Sequence, residues 1–328
     1  MRLNTPALVG TIAISALALA GCSSSAPAAD DTAGISVIAS TNVYGSIAEA
    51  IGGDLVTVTS LITSAAQDPH SYEASAQDQL ALSKADLVIE NGGGYDPFID
   101  TLLSAASSEA SVVNASEASG LLEGDEHAEG EHAEDEHADE AAPEEEGHEG
   151  HDHIEGFNEH VWYSFHGVEQ VAAAIAEQLA ELDADNAAVY EDNLADFTAE
   201  IETLEATAEA LHPSTEGLGA AITEPVPLYL LEAAGFTNRT PDAFSEAIEE
   251  GTDVAPAVLA ETLGLFDSGS VALLAYNSQT ASSETEQVRA AAEKNGVAVV
   301  EFTETMPDGA DYVSWMTDNL SAISAAVK

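Results

Sequence analysis

Cysteine is almost missing from this chain: Cys22 is the only one in 328 residues. No disulfide can form within the chain and no multi-cysteine zinc site can be built, so a bound metal would have to be held by histidine and carboxylate. Basic residues are nearly as scarce, six Lys and Arg against 60 Asp and Glu, for a formal net charge of -54. Such a balance repels a phosphate backbone, which excludes nucleic acid as a partner, and disfavours anionic substrates, which proteins usually grip with Arg or Lys. Nucleotide and hydrolase signatures are absent as well. Gly92-Gly93-Gly94 is not followed by the Gly-Lys-Ser/Thr of a phosphate loop, and no Gly-x-Ser-x-Gly elbow occurs. Beyond the first 20 residues no apolar run is long enough to span a bilayer. What is present is 45% hydrophobic residues, enough to bury real cores, in a length that accommodates two ordinary domains.

The N-terminus has one basic residue, Arg2, then the apolar run 7–20, then Gly21-Cys22-Ser23-Ser24-Ser25. This is the layout of a secretory signal peptide. Leu19-Ala20-Gly21-Cys22 resembles the bacterial lipobox, which implies a signal peptide over 1–21, lipidation of Cys22 and a flexible tether over 22–34. An ordinary signal peptide followed by a stray Cys is the alternative. Lipidation would place the protein outside the cell, anchored on the outer face of the cytoplasmic membrane. For a body this acidic, a covalent anchor serves better than attraction to anionic lipid.

From residue 35 the pattern alternates strand and helix, as expected for a parallel α/β sheet. Over 35–166, the N-terminal lobe, strands are expected at 35–39, 55–62, 86–90 and 112–113, with helices at 43–51, 75–84 and 98–106. Within this lobe residues 123–155 are almost entirely Glu, Asp, His, Ala and Gly, with His127, His132, His137, His148, His151 and His153 spread through them. A stretch of that composition cannot bury enough apolar surface to order itself and reads as a disordered insertion. Residues 167–212 form a helical linker: one helix over 168–182 and a longer one reaching about residue 211. The longer helix carries the seam Tyr190, Leu194, Phe197, Ile201, Leu204, Ala208, Leu211. That seam fits either a coiled-coil partner or, as the preferred reading, packing within the chain, where a helix of about 40 Å could touch two lobes. The C-terminal lobe, 213–328, carries expected strands at 220–223, 271–276 and 297–301. The fold class is therefore α/β, two parallel-sheet lobes joined by one long helix.

Open α/β sheets bind ligands beyond the carboxyl ends of their strands. Polar segments fall at such places: Asp68-Pro69-His70-Ser71-Tyr72-Glu73, Asn158-Glu159-His160-Val161-Trp162-Tyr163, Thr223-Glu224-Pro225 and Pro307-Asp308-Gly309-Ala310-Asp311-Tyr312. Taken singly, each has a plain explanation, since loop histidines are usually solvated and Glu224 or Asp311 could simply cap a helix. Together, two imidazoles from one lobe and two carboxylates from the other would make a closed, four-coordinate site for a divalent transition metal.

With these motifs the chain resembles the metal-binding lipoproteins of bacterial zinc and manganese ABC importers. Ala85-Asp86-Leu87-Val88-Ile89-Glu90-Asn91-Gly92 and Asp311-Tyr312-Val313-Ser314-Trp315-Met316 add to the likeness. The resemblance implies a monomeric, non-enzymatic solute-binding protein with two lobes on a rigid connecting helix and a metal site in the cleft between them. It would deliver its ion to ABC permease subunits. It further implies His70 and His160 as the first-lobe ligands, with Glu224 and Asp311 in the second-lobe ligand positions. Two histidines with Glu and Asp look like the family's manganese arrangement, whereas a His-rich acidic insertion accompanies its zinc members. Zn2+ is the preferred ion and Mn2+ the alternative, with the six insertion histidines as a low-affinity collector of cations or, alternatively, the insertion as a solvated polyanion or salt-adapted surface; a surface adhesin or metal buffer is a further alternative.

Overall fold

Among the described residues all the strand pairings are parallel, and they build two sheets of the same order. In the computed structural model, which describes residues 34–122, 154 and 156–327, the first sheet contains β1 (Ile35–Thr41), β2 (Val56–Ile62), β3 (Leu87–Glu90) and β4 (Ser111–Asn114). They lie in the order β2-β1-β3-β4, with Val37 level with both Val58 and Leu87. Helices α1 (Asn42–Gly52), α2 (Ala76–Leu82), α3 (Phe98–Ala106) and α4 (Ala115–Ala118) connect and flank them. After α5 (Phe165–Leu182), α6 (Ala187–Glu209) and α7 (His212–Thr215), the second sheet follows with β5 (Gly219–Ile222), β6 (Thr237–Asn238), β7 (Leu273–Asn277) and β8 (Ala298–Phe302), ordered β6-β5-β7-β8. Its helices are α8 (Leu228–Ala233), α9 (Asp242–Glu249), α10 (Pro256–Ser268), α11 (Ser283–Asn295) and α12 (Tyr312–Ala326). In each sheet the winding direction reverses beside the first strand, between β1 and β3 and again between β5 and β7. A crevice opens at the carboxyl end of the strands at such a reversal, and ligands bind there.

Helix α6 has 23 residues, about 34 Å at about 1.5 Å per residue, shorter than its sequence pattern suggested. A tight turn at Ala184–Asn186 delays its start, and α7, with Pro213 in its first turn, follows it closely. Its seam is buried within the chain: Tyr190, Phe197, Ile201, Leu204 and Ala208 are all in the core, with Leu194 and Leu211 packed at its margin. The helix lies against α1 and α5 on one side and α8 and α12 on the other, so it braces both lobes. One continuous apolar core runs from Val37 and Tyr44 through Trp162 and Ile201 to Phe302 and Trp315. Side chains stitch the lobes further. Asn42 donates to the Met306 carbonyl at 2.9 Å and accepts its N–H at 3.1 Å, and Tyr312 donates to the Trp162 carbonyl at 2.6 Å. Bonds of this kind, part-buried at Asn42 and buried at Tyr312, oppose wide hinge opening.

The differences from expectation are local. Three elements have no counterpart in the periodicity reading: β6, α4 and α7. Each spans two to four residues, too few for either repeat to show. Cys22, the leader, the tether and the six insertion histidines lie outside the described residues.

Candidate metal centre

His70 comes from the loop after β2. Asp68 shapes that loop, its carboxylate accepting the His70 backbone N–H at 3.0 Å and the Ser71 hydroxyl at 2.7 Å. The His70 ring meets Tyr95 edge-on, with centroids 4.9 Å apart. His160 is 1% exposed and sits between Tyr95 and Trp162. Its Nδ1 lies 2.8 Å from Asn158 Oδ1, which also accepts the His160 backbone N–H at 3.1 Å. An amide oxygen at Nδ1 calls for the N–H there and leaves Nε2 as the lone-pair nitrogen that a metal would take. Asn158 reaches the other lobe too, donating to the Pro225 carbonyl at 3.1 Å, next to Glu224.

The second lobe presents carboxylates at the carboxyl ends of its strands. Glu224 stands two residues beyond β5 and Glu304 two beyond β8, and both are buried. Ligand atoms of His70, His160 and Glu304 all lie within 4.8 Å of one another. Glu224 is tied to Glu304 through a shared donor, Asn277, whose amide nitrogen is 2.5 Å from Glu224 Oε2 and 2.8 Å from Glu304 Oε1. Tyr95, from the first lobe, donates to Glu304 Oε2 at 3.2 Å.

Of the four residues expected from sequence, His70 and His160 converge with each other and with Glu304, Glu224 joins them through Asn277, and Asp311 does not. Asp311 is exposed and caps α12: its carboxylate accepts the Ser314 N–H at 2.8 Å while its own N–H donates to the Ser314 hydroxyl at 3.1 Å. It borders a separate hollow with Ser46, Glu49 and Phe197. Aspartate three residues before Ser at a helix start satisfies the helix's unpaired N–H groups, and that local demand holds the side chain away from the cleft. The place expected for Asp311 is occupied by Glu304. Its signal was positional: Glu304 stands the same two residues past β8 as Glu224 does past β5.

The centre is strongly acidic. Glu159, adjacent to His160, lies 3.7 Å from His70 Nε2, and Glu249 from α9 lies 3.8 Å from His160 Nδ1. Burial first, then the neighbouring Asp68, pushes Glu224 up to about 7 against the pull of Thr280 and Asn277. Burial and then Glu224 push Glu304 to about 8. Glu249 is pushed to about 9 by burial and then by Glu159, Glu224 and Glu304. Among the described residues, no basic side chain offsets the rise at any of the three. Carboxylates crowded this way hold protons near neutral pH, and a divalent cation would release them.

Residues 37–326 match the family model described as zinc-uptake complex component A, periplasmic (ZnuA). The manganese-binding lipoprotein MntA of Halalkalibacterium halodurans is 25% identical over 231 residues, which cover 69% of this chain and 66% of that protein. The manganese ABC transporter substrate-binding lipoprotein scaA of Streptococcus gordonii is 28% identical over 204 residues, 58% of this chain and 56% of that protein. The chain thus spans less than two thirds of either relative's length. The periplasmic zinc-binding protein TroA of Treponema pallidum shares the fold, with a TM-score of 0.69 at 18% identity over 90% of this chain and 99% of that one.

Proposed function

Since the chain belongs to the family of periplasmic zinc-uptake components A (ZnuA), we propose that it is an extracytoplasmic solute-binding protein that captures a divalent transition-metal ion between its lobes and passes it to an ABC permease. The observation that carries this is the convergence of His70 and His160 with Glu304, and of Glu304 with Glu224 through Asn277, in a buried acidic crevice. The ligand set is His70, His160, Glu224 and Glu304, with Glu304 in the position that the family resemblance implies for Asp311. Four protein donors fill a tetrahedral shell and leave no position for an attacking water, which favours binding over catalysis.

The proposed ion is Zn2+, because two imidazoles and a closed four-donor set suit it. A second reading, Mn2+, is favoured by half the donors being carboxylate oxygen and by the likeness to the manganese-binding lipoproteins MntA and scaA. The bonds between lobes, Asn42 to Met306 and Tyr312 to Trp162 among them, support capture with modest closure. A lipid on Cys22 would hold the protein beside its permease, and the six insertion histidines would gather cations near the crevice.

The test is metal titration of the purified chain. One tight site that survives deletion of residues 123–155 and is lost in His160→Ala supports capture in the crevice. Binding that disappears with the deletion and persists in His160→Ala would place the ion elsewhere.

A further inference from the structure

The loop after β7 supplies no imidazole and no carboxylate to the crevice, yet it reaches both acidic donors. Asn277 is buried at its start, with Nδ2 directed at Glu224 Oε2 and at Glu304 Oε1. The amide is locked in that sense. Its Oδ1 accepts the Gln279 N–H at 3.0 Å, and turning the group over would set this oxygen against two carboxylates. The same loop adds two more contacts. Thr280 donates to Glu224 Oε2 at 2.5 Å, and Gln279 Oε1 accepts the Glu304 backbone N–H at 2.7 Å.

These bonds determine how each carboxylate can meet an ion. Glu224 Oε2 already accepts two hydrogen bonds, so Oε1 is the oxygen it presents. Glu304 accepts at both oxygens, from Asn277 and from Tyr95, which opposes a symmetric two-oxygen grip. One bond from each carboxylate and one from each imidazole make four-fold coordination, the preference of zinc. Manganese favours six donors, chiefly oxygen.

We infer that Asn277 is a positioning and specificity-determining residue: it restricts Glu224 and Glu304 to one metal bond each and so tilts the centre towards four-coordinate zinc over manganese. The inference rests on the metal-capture reading of the same crevice.

The experiment is competitive titration of the purified chain with Zn2+ and with Mn2+, for the wild type, Asn277→Ala and the milder Thr280→Ala, together with the visible spectrum of the Co2+ form. In Asn277→Ala the zinc-to-manganese affinity ratio falls about 10-fold or more, the scale expected for removing a group that orients metal ligands. The intense bands of four-coordinate cobalt give way to the weak bands of higher coordination. Thr280→Ala, at a less buried position, moves both readouts the same way by less, and serves alone if Asn277→Ala does not fold. An unchanged ratio and cobalt spectrum, or equal weakening of both ions, overturns the inference and leaves metal capture standing. A wild-type chain that binds neither ion overturns metal capture and the inference with it.

Discussion

Glu304→Gln tests whether the buried carboxylates trade protons for an ion. With Glu304 titrating at about 8 and Glu224 at about 7, at pH 7 the first is about nine-tenths protonated and the second about half. An ion that binds both must expel about 1.4 protons at pH 7, and only about 0.1 at pH 9, where both are already ionised. Titration calorimetry in buffers of different ionisation enthalpy counts those protons from the slope of observed heat against buffer heat. Glu304→Gln keeps the shape of the side chain and removes its proton, so release at pH 7 should fall by about 0.9. Zinc affinity should fall at least about 10-fold with the lost anionic donor. Because Glu304 also raises Glu249, the comparison is repeated in a Glu249→Gln background, where Glu249 contributes no proton to either measurement. Equal release by wild type and variant, or release that does not decline between pH 7 and pH 9, would refute the exchange.

Three further outcomes follow from the same geometry. The folded values of Glu224, Glu304 and Glu249 lie above the ordinary carboxylate value of 4.5, so the folded chain binds more protons than the unfolded one across the interval from 4.5 to about 9. Metal-free protein should therefore lose stability as pH rises through that interval, by up to about 1.4 kcal/mol per pH unit for each group in its window. Thermal melts with chelator at pH 5.5 and pH 8.5 check the sign, and saturating zinc should remove the difference at the alkaline end. Asp311→Ala should lower stability by about 1 kcal/mol through loss of the α12 cap and leave zinc titration unchanged, whereas Asp311 acting as a ligand would abolish binding. Phe197→Ala takes a ring that is 3% exposed, 6.1 Å from the Tyr312 ring, out of the brace between lobes. It should cost about 3–5 kcal/mol in denaturant unfolding, and a cost below about 1 kcal/mol would mean that α6 does not brace the lobes.

How far the sequence could be read depended on the range of the forces involved. Strands such as β3 and helices such as α3 and α12 declare themselves because their apolar spacing is periodic, and α3 begins and ends where that spacing does. His70 and His160 were legible because Pro69 and Trp162 mark ordered loops beside them. Asp311 misled because an acid beside a helix start looks the same in sequence whether it faces a cleft or caps a helix. Here the capping box with Ser314, a local interaction, decides the matter. Glu304 was missed for the opposite reason. Its place two residues past β8 is a weak signal, and what sets it apart from other acids near strand ends is contact with Tyr95, 209 residues away, and with Asn277.

The charge shows the same division. The formal charge of -54, with 17 of the 60 acidic residues lying in 123–160, reads in the sequence either as a field that draws cations or as an adaptation to salty surroundings. That Glu224 and Glu304 would be buried together with half-buried Glu249 beside them, and that among the described residues no ammonium or guanidinium would offset them, depends on the fold alone. A closed acidic crevice of that kind is costly to ionise. The divalent ion is the partner that would relieve it, and so the strongest binding is expected where metal-free protein at alkaline pH is least stable.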